Sequence, residues 1–173
     1  MRTVGILLFA AAAVAVAGCG TVSGEAGPEQ PTASNPAFDP CDDIPDDAIR
    51  AVGMDPATES RDILGVHQPG WNICGWNNDE SEFLTVYATG RTLDEIRRNP
   101  DFVDFRSVDL DGRPALSFRD VDDVQQTRCD VATVVAGASA MFSLSIAAPG
   151  AHVGDVCGEV LGLVKGLLPH LPK

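Results

Sequence analysis

The sequence predicts an α+β domain: a single antiparallel sheet packed against a C-terminal helix, with elements in the order α-β-β-α-β-β-β-β-α. Three observations carry that expectation. Asp111-Gly112 stands between two strand-like runs, and this dipeptide supplies the positive φ angles of a two-residue hairpin turn. Val153, Val156, Cys157, Val160, Leu161, Val164, Leu167 and Leu168 follow the helical period without a gap, so residues 153–168 form a helix that must bury one face. The remaining helices are too few and too short to serve as crossovers between parallel strands.

The chain of 173 residues begins with a brief cationic start at Arg2 and an uncharged apolar run over 4–16. Val16-Ala17-Gly18-Cys19 closes the run with small residues, the form of an export signal with a lipoprotein cleavage box. The chemistry explains the residue types, because the peptidase needs small side chains beside the cut and only the Cys19 thiol can form the diacylglycerol thioether. A membrane-spanning helix needs about 20 apolar residues, more than this run offers. Residues 1–18 are therefore expected as signal peptide, with Cys19 lipidated and holding the protein at the outer face of the cell membrane.

Residues 19–38 are rich in Gly, Pro, Ser, Thr, Ala and Glu, with almost no large apolar side chain before Phe38. Such a segment buries too little surface to order itself and reads as a flexible tether, with an end-to-end distance of about 25 Å by the square-root rule. The folded domain is expected over 39–173, a length suited to one core.

Within it, Asp43-Ile44-Pro45-Asp46-Asp47 opens a short helix, with proline and acidic residues suited to a helix start and Gly53 placed to end it. Residues 55–70 show no sustained period and read as a loop. Residues 71–76 and 83–88 form a hairpin across the turn Asn77-Asn78-Asp79-Glu80. Thr92-Leu93-Asp94-Glu95 is a capping box for a second short helix that Pro100 terminates. Residues 105–110 and 113–118 flank Asp111-Gly112, and 129–136 and 139–147 form a further hairpin around Gly137, with Phe142, Leu144 and Ile146 on one face. In the last helix Gly154, Gly158, Gly162 and Gly166 recur every fourth residue, either as an exposed face of low propensity or as a place where a partner's backbone approaches closely.

Cys19 apart, four cysteines remain: Cys41, Cys74, Cys129 and Cys157. In an exported chain they read as two disulfides. Of the three connectivities, Cys41–Cys74 with Cys129–Cys157, joining chain neighbours, is preferred, each closure contributing roughly 3.5–4 kcal/mol in the loop-entropy model. No CxxC pair supports a metal site built from them.

The formal net charge is -13, and removing Arg2 with the leader takes it to -14. A negative field of that size repels phosphate backbones, so nucleic acid is not an expected partner. His67, His152 and His170 show no HExxH spacing, Ser139 lacks the second glycine of a nucleophile elbow, and no phosphate loop is present. Asp109-Leu110-Asp111-Gly112 and Asp120-Val121-Asp122-Asp123 lack the spaced carboxylates of a calcium loop and read as turns. The expectation is no catalytic residue, no metal and no cofactor. Trp71 and Trp76 carry the one binding hint: five apart, they lie on opposite faces of a strand, so that if one enters the core the other stands beside the 55–70 loop as a contact for a glycan, lipid or protein; the alternative leaves both partly buried against the Cys41–Cys74 bridge.

The lipobox, Asp39-Pro40-Cys41 with its following helix, Cys74-Gly75-Trp76, Gly112-Arg113-Pro114-Ala115, Cys129, and Cys157 within a helix ending at Leu168-Pro169 together resemble a family of actinobacterial lipoproteins of unknown function, the mycobacterial Lpr type. The resemblance implies location, disulfides and an envelope role, and brings no catalytic residues. The element order also resembles the small α/β sandwiches of the photosystem oxygen-evolving subunit, the nuclear-import regulator and mycobacterial sensor-kinase ectodomains, which implies fold alone. The functional expectation is a non-catalytic binding or adaptor domain at the envelope. The alternatives are a carrier holding an apolar molecule in a cavity between helix and sheet, and, behind it, an envelope hydrolase.

Overall fold

Proline 45 divides the N-terminal helical segment. It lacks the N–H that would continue a preceding helix, and it sits at φ -74 as the cap of the next one. The computed structural model describes residues 36–147 and 155–173, and in it the expected first helix is two: α1 (Pro40–Asp43) and α2 (Asp46–Ala51). Asp39 caps α1 by accepting from the Cys41 N–H, and Gly53 ends α2 at φ +84.

Seven strands follow in one antiparallel sheet: β1 (Asp55–Arg61), β2 (Trp71–Asn77), β3 (Glu82–Thr89), β4 (Phe102–Leu110), β5 (Arg113–Asp120), β6 (Arg128–Val135) and β7 (Ala138–Ile146). Their spatial order is β1-β2-β3-β7-β6-β5-β4. Helix α3 (Leu93–Arg97) lies between β3 and β4, and α4 (Val156–Leu167) runs into a 3-10 turn over Leu168–His170. The fold class and element order match the expected ones, with one strand added: β1 occupies part of the segment read as a loop. Residues 153–154, the expected start of the last helix, lie outside the described residues.

The hairpins form where their turn residues demand them. Asp111 and Gly112 take φ 54 and 88, and Ala136 and Gly137 take φ 43 and 76. The capping box of α3 is complete: the Thr92 hydroxyl accepts from the Glu95 N–H, and the Glu95 carboxylate accepts from the Thr92 N–H at 2.7 Å. Those bonds hold the exposed Glu95 carboxyl below its ordinary pKa.

Strand alternation sorts the sheet into two faces. On one, Cys74, Val86, Phe142 and Val131 form a row across β2, β3, β7 and β6, followed by Trp76, Leu84, Leu144 and Cys129. All are buried, and Val156, Val160, Val164 and Leu167 of α4 cover them, with Ile44, Ala48 and Ile49 in the same core. Both preferred disulfides are present: Cys41–Cys74 ties α1 to β2, and Cys129–Cys157 ties β6 to α4. Gly166 lets α4 approach the end of α2, since a Cβ there would lie 2.6 Å from Val52 Cγ1. Gly158 faces the Asp155 side chain, Gly162 meets nothing within 4 Å, and Gly154 lies outside the described residues.

Phe38 was expected to end the tether; instead it is 2% exposed and belongs to the core. The Asn72 amide fixes its approach by donating to the Pro36 and Phe38 carbonyls at 3.0 and 2.9 Å. At the sheet edges β1 and β4 each carry a register irregularity, at 55–60 and 103–106. Such bulges remove the flat, open edge on which another strand would pair.

Candidate functional site

The second face of the sheet is built from the opposite alternation. Ile73, Tyr87, Met141, Ala132 and Leu116 form one row across β2, β3, β7, β6 and β5, and Gly75, Thr85, Ser143, Asp130 and Phe118 form the next. Helix α3 covers only part of this face, Ile96 and Leu93 packing with Leu116, Phe118, Ala132 and Met141. Phe102 and Phe105 extend that cluster, with ring centroids 4.7 and 5.2 Å from Phe118.

Over the rest of the face stands the β1–β2 loop, residues 62–70. Its tip is a tight turn: Ile63 and Val66 bridge across Leu64 at φ 54 and Gly65 at φ 73. Left-handed backbone at a leucine costs about 1–2 kcal/mol, and this leucine is 96% exposed, so no burial offsets the strain. Ile63 and Val66 are also exposed. Between loop and sheet lie two adjoining grooves. One, about 440 Å³, is lined by residues including Ile63, Leu64, Ile73, Phe83 and Tyr87; the other, about 320 Å³, includes Trp71, Ile73, Tyr87, Phe102, Asp120 and Arg128.

Trp71 forms the wall of the second groove, half-buried. Its ring meets Tyr87 edge-on at 6.3 Å, and the Arg91 guanidinium lies 5.9 Å from its centroid. Trp76 is 2% exposed on the helix-covered face, so the two tryptophans do lie on opposite faces and only Trp71 reaches the surface. Among the described residues the Trp76 indole N–H has no acceptor.

Beneath the groove is an ionic cluster that strand reading passed over. Asp130 is fully buried, and its Oδ1 accepts from Arg128 Nε and Nη2 at 3.4 and 3.1 Å. Arg128 Nη1 lies 4.0 Å from Asp120 Oδ2. Burial pushes the Asp130 pKa up, opposed by Arg128 and the Ser143 hydroxyl, while among the described residues its Oδ2 has no hydrogen-bond partner of good geometry. Arg128 is held above its ordinary value: burial, the largest influence, lowers it, and Asp130 outweighs that. Burial also raises the Tyr87 pKa. The signal for the cluster was Arg128-Cys129-Asp130 itself, opposite charges two apart and hence on one face of an otherwise apolar strand.

The remaining expectations fall as follows. Asp120 and Asp123 serve turn chemistry, accepting from the N–H groups of Asp122, Thr127 and Arg128. Ser139 is fully buried in the β6–β7 hairpin. His67 approaches Asp62 at 3.3 Å on the exposed loop. Cys41, Glu59 and Cys74 cluster closely enough for a metal, but the two sulfurs are joined to each other and offer no thiolate. Where a carrier would hold its ligand, between α4 and the sheet, the described residues place Val160, Val164 and Leu167 against Val131, Phe142 and Leu144. Among the described residues no helix is long and apolar enough to cross a membrane. Cys19 lies outside the described residues.

Fold and site together define an α+β domain whose sheet is closed by helices on one face and grooved on the other. The chain belongs to the family described as a protein of unknown function, DUF3558, whose model matches residues 14–170. No curated protein and no solved structure matches it.

Proposed function

We propose that this chain is an exported lipoprotein of the actinobacterial Lpr type, anchored through lipid on Cys19 at the outer face of the cell membrane, whose domain binds a partner without catalysis. The observation that carries the binding role is the half-covered sheet face, where Trp71, Tyr87 and Ile73 line a concave surface under an exposed apolar loop. Concave, largely apolar sites with a few convergent polar groups are where ligands are held. Export is supported by the leader pattern and by two disulfides, bonds that persist in oxidising compartments.

The anchor and the groove are tested separately. Cys19→Ala should move the protein from the membrane fraction to the soluble fraction on detergent-free fractionation; retention at the membrane would remove the anchor. Capture of the acylated protein from its own membrane, with mass spectrometry of what copurifies, should return a molecule that Trp71→Ala no longer retains. A copurifying set unchanged by that substitution would place binding elsewhere.

A further inference from the structure

We infer that the groove beside Trp71 takes a neutral carbohydrate, one or two sugar rings with an apolar face toward the aromatic wall. The inference rests on the binding role proposed above and names its ligand class. Asp130 takes Nε and Nη2 of Arg128 on its Oδ1, and this fixes the guanidinium so that Nη1 is left toward Asp120. The 4.0 Å between Arg128 Nη1 and Asp120 Oδ2 is too long for a direct hydrogen bond. Both side chains are partly exposed, at 30% and 28%. A single oxygen that donates and accepts at once can sit between them, and a ligand hydroxyl is such a group.

Charge decides against anionic and cationic ligands. A carboxylate or phosphate at Arg128 would face Asp120, Asp130 and Asp101 in the same part of the molecule, within a chain of net charge -13. An ammonium group placed at Asp120 would face the Arg128 guanidinium, which Asp130 holds in position. A hydroxyl satisfies both partners and adds no charge.

The walls favour the same class. Trp71 and Tyr87 meet edge to face, and Ile73, Phe102 and Met141 continue the apolar lining. The C–H face of a sugar ring packs on such a surface while its hydroxyls reach the rim, where Gln68 and Asp101 offer an amide and a carboxylate. A volume of about 320 Å³ falls at the small end of ligand sites, about 300–1,000 Å³.

The test uses the full chain with its disulfides formed, in a detergent whose headgroup is not a sugar, titrated with neutral oligosaccharides of two to four glucose, galactose, mannose or arabinose units. Calorimetry and tryptophan fluorescence report binding. At least one probe should bind saturably. Asp120→Ala should weaken it about tenfold or more, the loss expected for a hydrogen bond to a charged group, and Trp71→Ala should weaken it by a similar factor through the lost aromatic surface. Asp120→Asn should recover part of the affinity, and Val103→Ala, exposed on β4, should not change it. Thermal unfolding of each variant separates a lost contact from a lost fold. No response to any probe overturns the inference, as does binding that ignores both groove substitutions. Saturable binding of a Lys- and Leu-containing peptide or of phosphatidylglycerol vesicles in place of the sugars also overturns it. If membrane capture still depends on Trp71 while sugars fail, only the ligand class falls; if capture is indifferent to Trp71, the binding role falls with it.

Discussion

The two faces of the sheet solve different problems with the same strands. The face under α4 is filled by side chains that are 0–2% exposed over most of its area and is fastened by two disulfides. The other face trades part of that burial for an ion pair, a half-buried tryptophan and an overhanging loop with a leucine in left-handed backbone. Close packing makes the first face costly to alter. The second keeps polar capacity that packing alone would have eliminated, and this is why the binding role is assigned there.

Core truncation should separate the faces most. Phe142→Ala removes a fully buried ring from the helix-covered side and should cost about 4 kcal/mol, read from urea denaturation; a loss comparable to that of Trp71→Ala would erase the contrast. Replacing Cys129 and Cys157 together by alanine should cost roughly 3.5 kcal/mol in the loop-entropy model. A much smaller loss would mean that packing alone holds α4 on the sheet.

On the grooved side, Asp130→Ala leaves Arg128 without its buried counterion and should cost about 3 kcal/mol. The pH dependence sharpens this. Burial raises the Asp130 pKa in the folded protein, so the folded state holds that proton more tightly than the unfolded chain does. Its contribution is therefore fully present in acid, below the ordinary aspartate pKa of about 3.9, and is lost as the pH rises through the folded-state value. Subtracting the pH–stability curve of Asp130→Asn from that of the parent should leave a fall with rising pH across that window. A rise there would mean that Arg128 outweighs burial. The smallest effect belongs to the loop: Leu64→Asn should stabilise by about 0.5–1 kcal/mol, because asparagine tolerates left-handed backbone and the leucine is exposed. Destabilisation would mean that its side chain packs on the domain in solution.

Much of the fold was legible because its signals are local. Asp111-Gly112 encodes its own turn, Thr92 and Glu95 cap their own helix, and the apolar period of α4 names the residues it buries. The disulfides followed from pairing neighbours in the chain. What escaped were features whose partners lie far off in sequence. β1 reads Asp-Pro-Ala-Thr-Glu-Ser-Arg, without apolar alternation, and is held by polar bonds: the Thr58 hydroxyl accepts from the Asn77 N–H at 2.9 Å, and Arg61 pairs with Asp39 and Asp42, both at 2.7 Å. Phe38 reads as part of a polar tether until the core that receives it is assembled. Trp71 was legible as an aromatic that reaches the surface, whereas the Arg128–Asp120 pair beside it depends on where β5 ends against β6.

The position of Cys41 also has a mechanical meaning. A pull on the chain from its N-terminal side reaches Cys41 and passes through its disulfide directly into Cys74 on β2. Residues 42–73 are thereby enclosed in a covalent ring that the load bypasses. That ring contains α1 beyond Cys41, α2, β1, the 62–70 loop and Trp71. Tension is thus diverted around the segment that shapes one wall of the groove, so that this wall is not the first part to extend.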